Sequence, residues 1–119
     1  MPKTAQLRKR TFDFGIRIVK TVRALPRNEE GKIVGRQLLR AGTSVGANYR
    51  ATARARSNAD FVAKLGIVGE ECDETSYWLV VAELGLFKPA RLTEVLREAD
   101  ELLSITVASI KTARGRSRT

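Results

Sequence analysis

The segment Ser57–Leu86, SNADFVAKLGIVGEECDETSYWLVVAELGL, decides the fold. Its seam runs Phe61, Leu65, Val68, Cys72, Thr75, Leu79, Ala82 and Leu86 at alternating spacings of four and three, the period that puts side chains on one stripe of an α-helix. Ser57 stands where a cap accepts the orphan amides of a first turn, and Asp60 follows as a shorter relative of the capping box. Gly85 and Lys88-Pro89 close the segment, so a long helix is expected over 58–86.

The same beat continues on both sides. Leu7, Thr11, Phe14, Ile18, Thr21 and Leu25 predict a helix over 7–25, ended by Leu25-Pro26-Arg27-Asn28. Val34, Leu38, Ala41, Val45, Asn48 and Thr52 predict a second over 29–54, opened by Glu29 and Glu30 at the positive helix end. Leu92, Leu96, Ala99, Leu103, Thr106 and Ile110 predict a last helix over 89–113, with Pro89 as its first residue and a frayed basic tail beyond it. Long helices with short breaks give an all-α, antiparallel up-down-up-down four-helix bundle. The 119 residues suit one domain spanning 1–119.

Gly35, Gly42 and Gly46 weaken the second helix by about 1 kcal/mol each relative to alanine. Their absent side chains predict a face for close helix packing. Asn48 falls on the seam, where a buried amide needs a partner; a helix-to-helix or register-fixing hydrogen bond is expected of it.

Chemistry is sparse. The chain has no histidine, which removes the commonest general base and zinc ligand. Glu70, Glu71, Asp73 and Glu74 lie off or beside the seam, so an outward acidic face is expected rather than a metal pair. Cys72 on the seam is expected to be buried and inert. No enzyme activity, metal or cofactor is expected. Met1-Pro2-Lys3-Thr4 leads into Arg8-Lys9-Arg10 with no apolar run, and a lone cysteine cannot form an internal disulfide; a soluble, cytoplasmic protein is the expectation.

Charge is the informative feature. The net charge is +9, with a pI of about 10.4. Residues 1–58 hold 14 basic and 3 acidic groups, against 8 and 10 in residues 59–119. Arg36, Arg40, Arg50 and Arg54 share one stripe opposite the second helix's seam, and Arg10, Arg17, Lys20 and Arg27 share one on the first. Such ladders suit a phosphate backbone, which the planar fork of arginine grips bidentately. Binding of RNA or DNA with low sequence specificity is expected through these eight residues. The alternative is a scaffold whose basic surface docks an acidic protein. On the third helix, Tyr77, Trp78, Val80, Val81 and Leu84 make the C-terminal half apolar nearly all round, more than one core covers, so a homo-oligomer contact is expected there.

The run Arg36-Gln37-Leu38-Leu39-Arg40-Ala41-Gly42-Thr43-Ser44-Val45-Gly46-Ala47-Asn48-Tyr49-Arg50 resembles the four-helix-bundle proteins encoded in bacterial ribosomal RNA intervening sequences. Asp60-Phe61, Lys64-Leu65-Gly66-Ile67-Val68, Glu70-Glu71 and Glu74-Thr75-Ser76-Tyr77-Trp78-Leu79 extend the resemblance. That family is similar to the accessory proteins of diversity-generating retroelements, basic pentameric bundles that associate with a reverse transcriptase and nucleic acid. The resemblance implies a homopentamer, a nucleic-acid partner and an enzyme such as a reverse transcriptase as a possible protein partner. Where relatives commonly carry an acid after the equivalent of Arg50, this chain has Ala51, which removes any role of that acid and leaves the local surface more basic.

Overall fold

The computed structural model describes residues 2–86 and 92–117. Among them run four α-helices: α1 (Pro2–Arg23), α2 (Glu29–Ala51), α3 (Asn58–Gly85) and α4 (Thr93–Ser117). The expected start of the last helix at Pro89 lies outside the described residues, as does Arg118.

Local chemistry explains the boundaries. At the end of α1 the amides of Ala24 and Leu25 turn to the carbonyls of Thr21 and Val22, both at 3.1 Å; Pro26 then forbids continuation, because the residue before a proline is driven out of the helical region. Asn28 caps α2, its Oδ1 accepting from the Gly31 amide at 2.8 Å. Gly31 is required at this turn, since a β-carbon there would lie 1.9 Å from the Pro26 carbonyl oxygen. Ser57 caps α3 as expected, its Oγ accepting from the Asp60 amide at 3.0 Å.

Several boundaries move. The first helix begins at Pro2 rather than Leu7 and ends at Arg23 rather than Leu25. The second helix stops at Ala51 and tightens into a 3-10 turn over Thr52–Arg54. The tail does not fray at Ala113 but stays helical to Ser117. Ala113 is buried, and its carbonyl accepts from the Asn58 side chain at 2.7 Å, tying the end of α4 to the start of α3.

Consecutive helices pack antiparallel. Along α1 and α2, Gly46 meets Thr11, Gly42 meets Ile18, and Gly35 meets Val22; Arg40 of α2 reaches Glu71 and Glu74 of α3; Ser76 of α3 donates to Asp100 of α4 at 3.1 Å. The pair α1 and α4 closes the bundle more loosely than the other three neighbouring pairs. No break occurs at Gly42. Phe14, Ile18, Leu38, Leu65, Leu79 and Leu102 are fully buried, each contributing roughly 1.5–3 kcal/mol of transfer free energy.

The α3 seam is as read, with Leu65, Val68, Cys72, Thr75, Leu79 and Ala82 buried. On α2 the seam turns by one residue near its end: Tyr49 is buried, whereas Asn48 is half-buried and donates to the Ser44 carbonyl of its own helix at 2.8 Å. The expected bond from Asn48 to another helix is therefore replaced by one within α2. On α4, Val95 and Leu102 take the centre of the core, while Leu96 and Leu103 pack on its flank.

Candidate nucleic-acid interface

The two arginine stripes do not share one outward face. Arg10 is turned toward α4, where Nε and Nη2 donate to Glu98 at 2.9 and 2.7 Å and Nη2 also meets Glu101 at 2.9 Å. Hydrogen bonds to those two carboxylates push its guanidinium still further above its ordinary value. Arg40 spans to α3, pairing with Glu74 and lying 3.5 Å from Glu71. Both residues are structural clamps between helices, and neither stands ready for a phosphate.

Arg40's partner Glu71 has its carboxyl pushed above the ordinary range by burial, with Arg40 opposing that shift. Its Oε2 is buried without a hydrogen-bond partner among the described residues. The Cys72 thiol beside it is fully buried and pushed up to about 12 by burial, then by Glu71 and Asp73, so no reactive thiolate exists near neutral pH.

The other six expected cations divide among four groups. Arg17 and Lys20 line the α1–α4 cleft with Arg97 and Glu94. Arg27 and Arg36 lie with Arg23 and Lys32 around the α1–α2 turn. Arg50 lies beside Arg8 and Lys9, and Arg54 beside Arg56, Asp60 and Lys64.

The last two groups are parts of one larger feature. In an up-down bundle the start of α1, the end of α2, the start of α3 and the end of α4 coincide at one end. Arg8, Lys9, Arg50, Arg54, Arg56, Lys111, Arg114 and Arg116 therefore gather there, all exposed. Arg50, Arg54, Lys111 and Arg114 form no ion pair with a described residue. Among the acids nearby, Asp60 is held by Lys64 at 2.8 Å, with its carboxyl pushed below the usual range chiefly by that bond, and Asp13 is held by Lys9 at 2.7 Å. Sequence reasoning did not single out Arg8, Lys9, Arg56, Lys111, Arg114 and Arg116 as members of this basic cluster; combining the antiparallel order with the basic tail would have found them.

The expected oligomer contact also divides. Tyr77, Val80 and Leu84 are exposed, while Trp78 and Val81 pack against the core. Tyr77 and Trp78 meet edge to face with ring centroids 5.1 Å apart.

The family model of the 23S rRNA-intervening sequence protein matches residues 3–108. The chain belongs to this family. Its fold is also that of a solved protein of unknown function from the S23 ribosomal protein family of Bacteroides thetaiotaomicron, with a TM-score of 0.82 and 30% identity over 92% of this chain and 98% of that one. No curated protein matches the chain. Family membership accounts for the shared bundle. Among the described residues no helix is long and apolar enough to cross a membrane, and no three acidic or cysteine side chains converge as a metal site.

Proposed function

We propose that this member of the 23S rRNA-intervening sequence protein family is a non-enzymatic, oligomeric binder of nucleic-acid backbones, and that its contact surface is the basic end of the bundle. The observation that carries the reading is the convergence of cations from three separated segments, around Arg8, Arg54 and Arg114, on a surface where the two nearest carboxylates are already engaged. A patch of one sign with few counter-charges raises the local concentration of polyanions and binds them by releasing their counterions.

Recognition is sequence-tolerant, because the arginines and lysines grouped at the basic end grip phosphates, which carry no sequence information. RNA is the preferred ligand on the strength of the family's name alone. Arg17, Lys20 and Arg97 in the α1–α4 cleft are a secondary track for the same backbone. Such a protein acts in the cytoplasm, where a lone reduced thiol such as Cys72 persists.

The test is titration of nucleic-acid-free protein with a single-stranded RNA and a duplex DNA across a salt series. Binding that steepens with falling salt supports the reading, and no binding at low salt overturns it. A partner protein retained after nuclease treatment, with no RNA binding, would instead indicate docking to an acidic protein.

A further inference from the structure

The first turn of α3 ties together segments that carry the cations of the basic end. Its own backbone is fixed, since the Ser57 side chain accepts from the Asp60 amide at 3.0 Å and the Ser57 carbonyl accepts from the Phe61 amide at 3.0 Å. From this turn two side chains reach the neighbouring segments.

Asp60 reaches back along the chain. Its Oδ2 accepts from the Arg56 amide at 3.0 Å, while the same carboxylate pairs with Lys64. Arg56 follows Ala55, whose extended backbone has left the 3-10 turn that holds Arg54. The bond to Asp60 therefore sets the path on which Arg54 and Arg56 cross to α3.

Asn58 reaches across to α4, where its Nδ2 donates to the Ala113 carbonyl at 2.7 Å. Ala113 is buried and is the last residue of α4 with an apolar side chain; Arg114-Gly115-Arg116-Ser117 follows it. Gly115 lowers helicity there by about 1 kcal/mol relative to alanine. The Asn58 bond anchors the helix immediately before Arg114 and Arg116.

We infer that Asn58 and Asp60 are positioning residues of the nucleic-acid surface, Asp60 placing Arg54 and Arg56 and Asn58 placing Arg114 and Arg116. Cations already held in place lose little freedom when a phosphate backbone binds. The inference rests on the proposed nucleic-acid reading, and it gives Asp60 a role opposite in sign to its charge. A carboxylate on this surface repels phosphates, so charge counting makes its removal favourable, the more so because Lys64 is released. Positioning makes the removal unfavourable.

The test is titration of the full chain with single-stranded RNA at one low salt concentration, with thermal melts confirming that each variant is folded. Asp60→Ala removes both the charge and the acceptor for Arg56 and is expected to weaken binding several-fold. Asp60→Asn keeps an acceptor while removing the charge and is expected to bind more tightly than wild type. Asn58→Ala changes no charge and is expected to weaken binding several-fold in the wild-type background and to have no effect in an Arg114→Ala/Arg116→Ala background. That non-additivity separates positioning from a generally loosened bundle, which weakens binding in both backgrounds. Tighter binding by Asp60→Ala, wild-type affinity in Asn58→Ala, or a loss from Asn58→Ala that persists in the background lacking Arg114 and Arg116 would overturn the inference and leave RNA binding in place. A wild-type protein that binds no RNA at low salt would overturn the nucleic-acid reading and the inference together.

Discussion

Gly42 of α2 rests against Ile18 of α1 so closely that a β-carbon on Gly42 would lie 2.6 Å from Cγ1 and 2.9 Å from Cβ of the isoleucine. The Cβ distance matters, because that atom cannot swing away as the tip of a flexible chain does. Alanine gains about 1 kcal/mol of helix propensity over glycine, but overpacking a filled site costs about 1–3 kcal/mol. Gly42→Ala is expected to lower stability by about 1–2 kcal/mol in denaturant unfolding. Gly66→Ala is the control, since nothing lies within 4 Å of its would-be β-carbon, and it is expected to raise stability by up to ~1 kcal/mol. The same sign for both would show that the glycines of this bundle are not there for helix approach.

The Arg10 clamp joins the two helices that pack most loosely. Its fork is held by Glu98 twice and Glu101 once. Arg10→Ala is expected to destabilise by about 1–2 kcal/mol, between an exposed ion pair and a buried one, while lowering RNA affinity less than Arg54→Ala does. Thermal melts and binding isotherms on the two variants separate a clamp from a ligand contact; the opposite ranking would return Arg10 to the binding surface.

Glu71 makes stability depend on pH. Its carboxyl lies above the ordinary 4.5 when folded, so the folded state holds the proton more tightly than the unfolded one. Its contribution is fully present below the unfolded value and is lost as pH rises through the raised folded one. Glu71→Gln, neutral throughout, is therefore expected to be more stable than wild type at neutral pH, with the gap narrowing as pH falls toward 4.5. Urea midpoints at several pH values check this, and a gap independent of pH would contradict it.

Cys72 gives a probe of opening. A fully buried thiol pushed up to about 12 is expected to resist a disulfide reagent in the native protein and to react at the rate of unfolding. Immediate reaction at neutral pH would mean that the α3 seam is not closed.

What the sequence made legible follows from where its pattern was unambiguous. The α3 seam could be read because its alternating four-three beat runs unbroken over eight positions from Phe61 to Leu86. On α4, Val95-Leu96 and Leu102-Leu103 are apolar doublets, and periodicity cannot say which member points inward when both are apolar; the core takes the first of each. Near the end of α2, Asn48 keeps the beat but Tyr49 buries a ring, and the larger apolar surface wins the inner position. Charge stripes were legible as stripes and not as surfaces. The carboxylates that engage Arg10 and Arg40 are 88 and 34 residues away in the chain, and a cation's partner at that range is set by packing. The basic end was likewise hidden, because Arg8, Arg54 and Arg114 belong to different helices and meet only through the bundle's alternation of direction.

The central claim is that the basic end grips a nucleic-acid backbone, and the salt dependence of RNA binding tests it most directly. Each phosphate contact contributes a slope of about −0.7 in log affinity against log salt for a single strand. Replacing Arg54, Arg56 and Arg114 together by alanine is expected to make the slope shallower by about 2, three times that increment, and to weaken binding at every sequence tried, while the paired Arg40→Ala leaves the slope nearly unchanged. A triple variant with the wild-type slope and affinity would contradict the account.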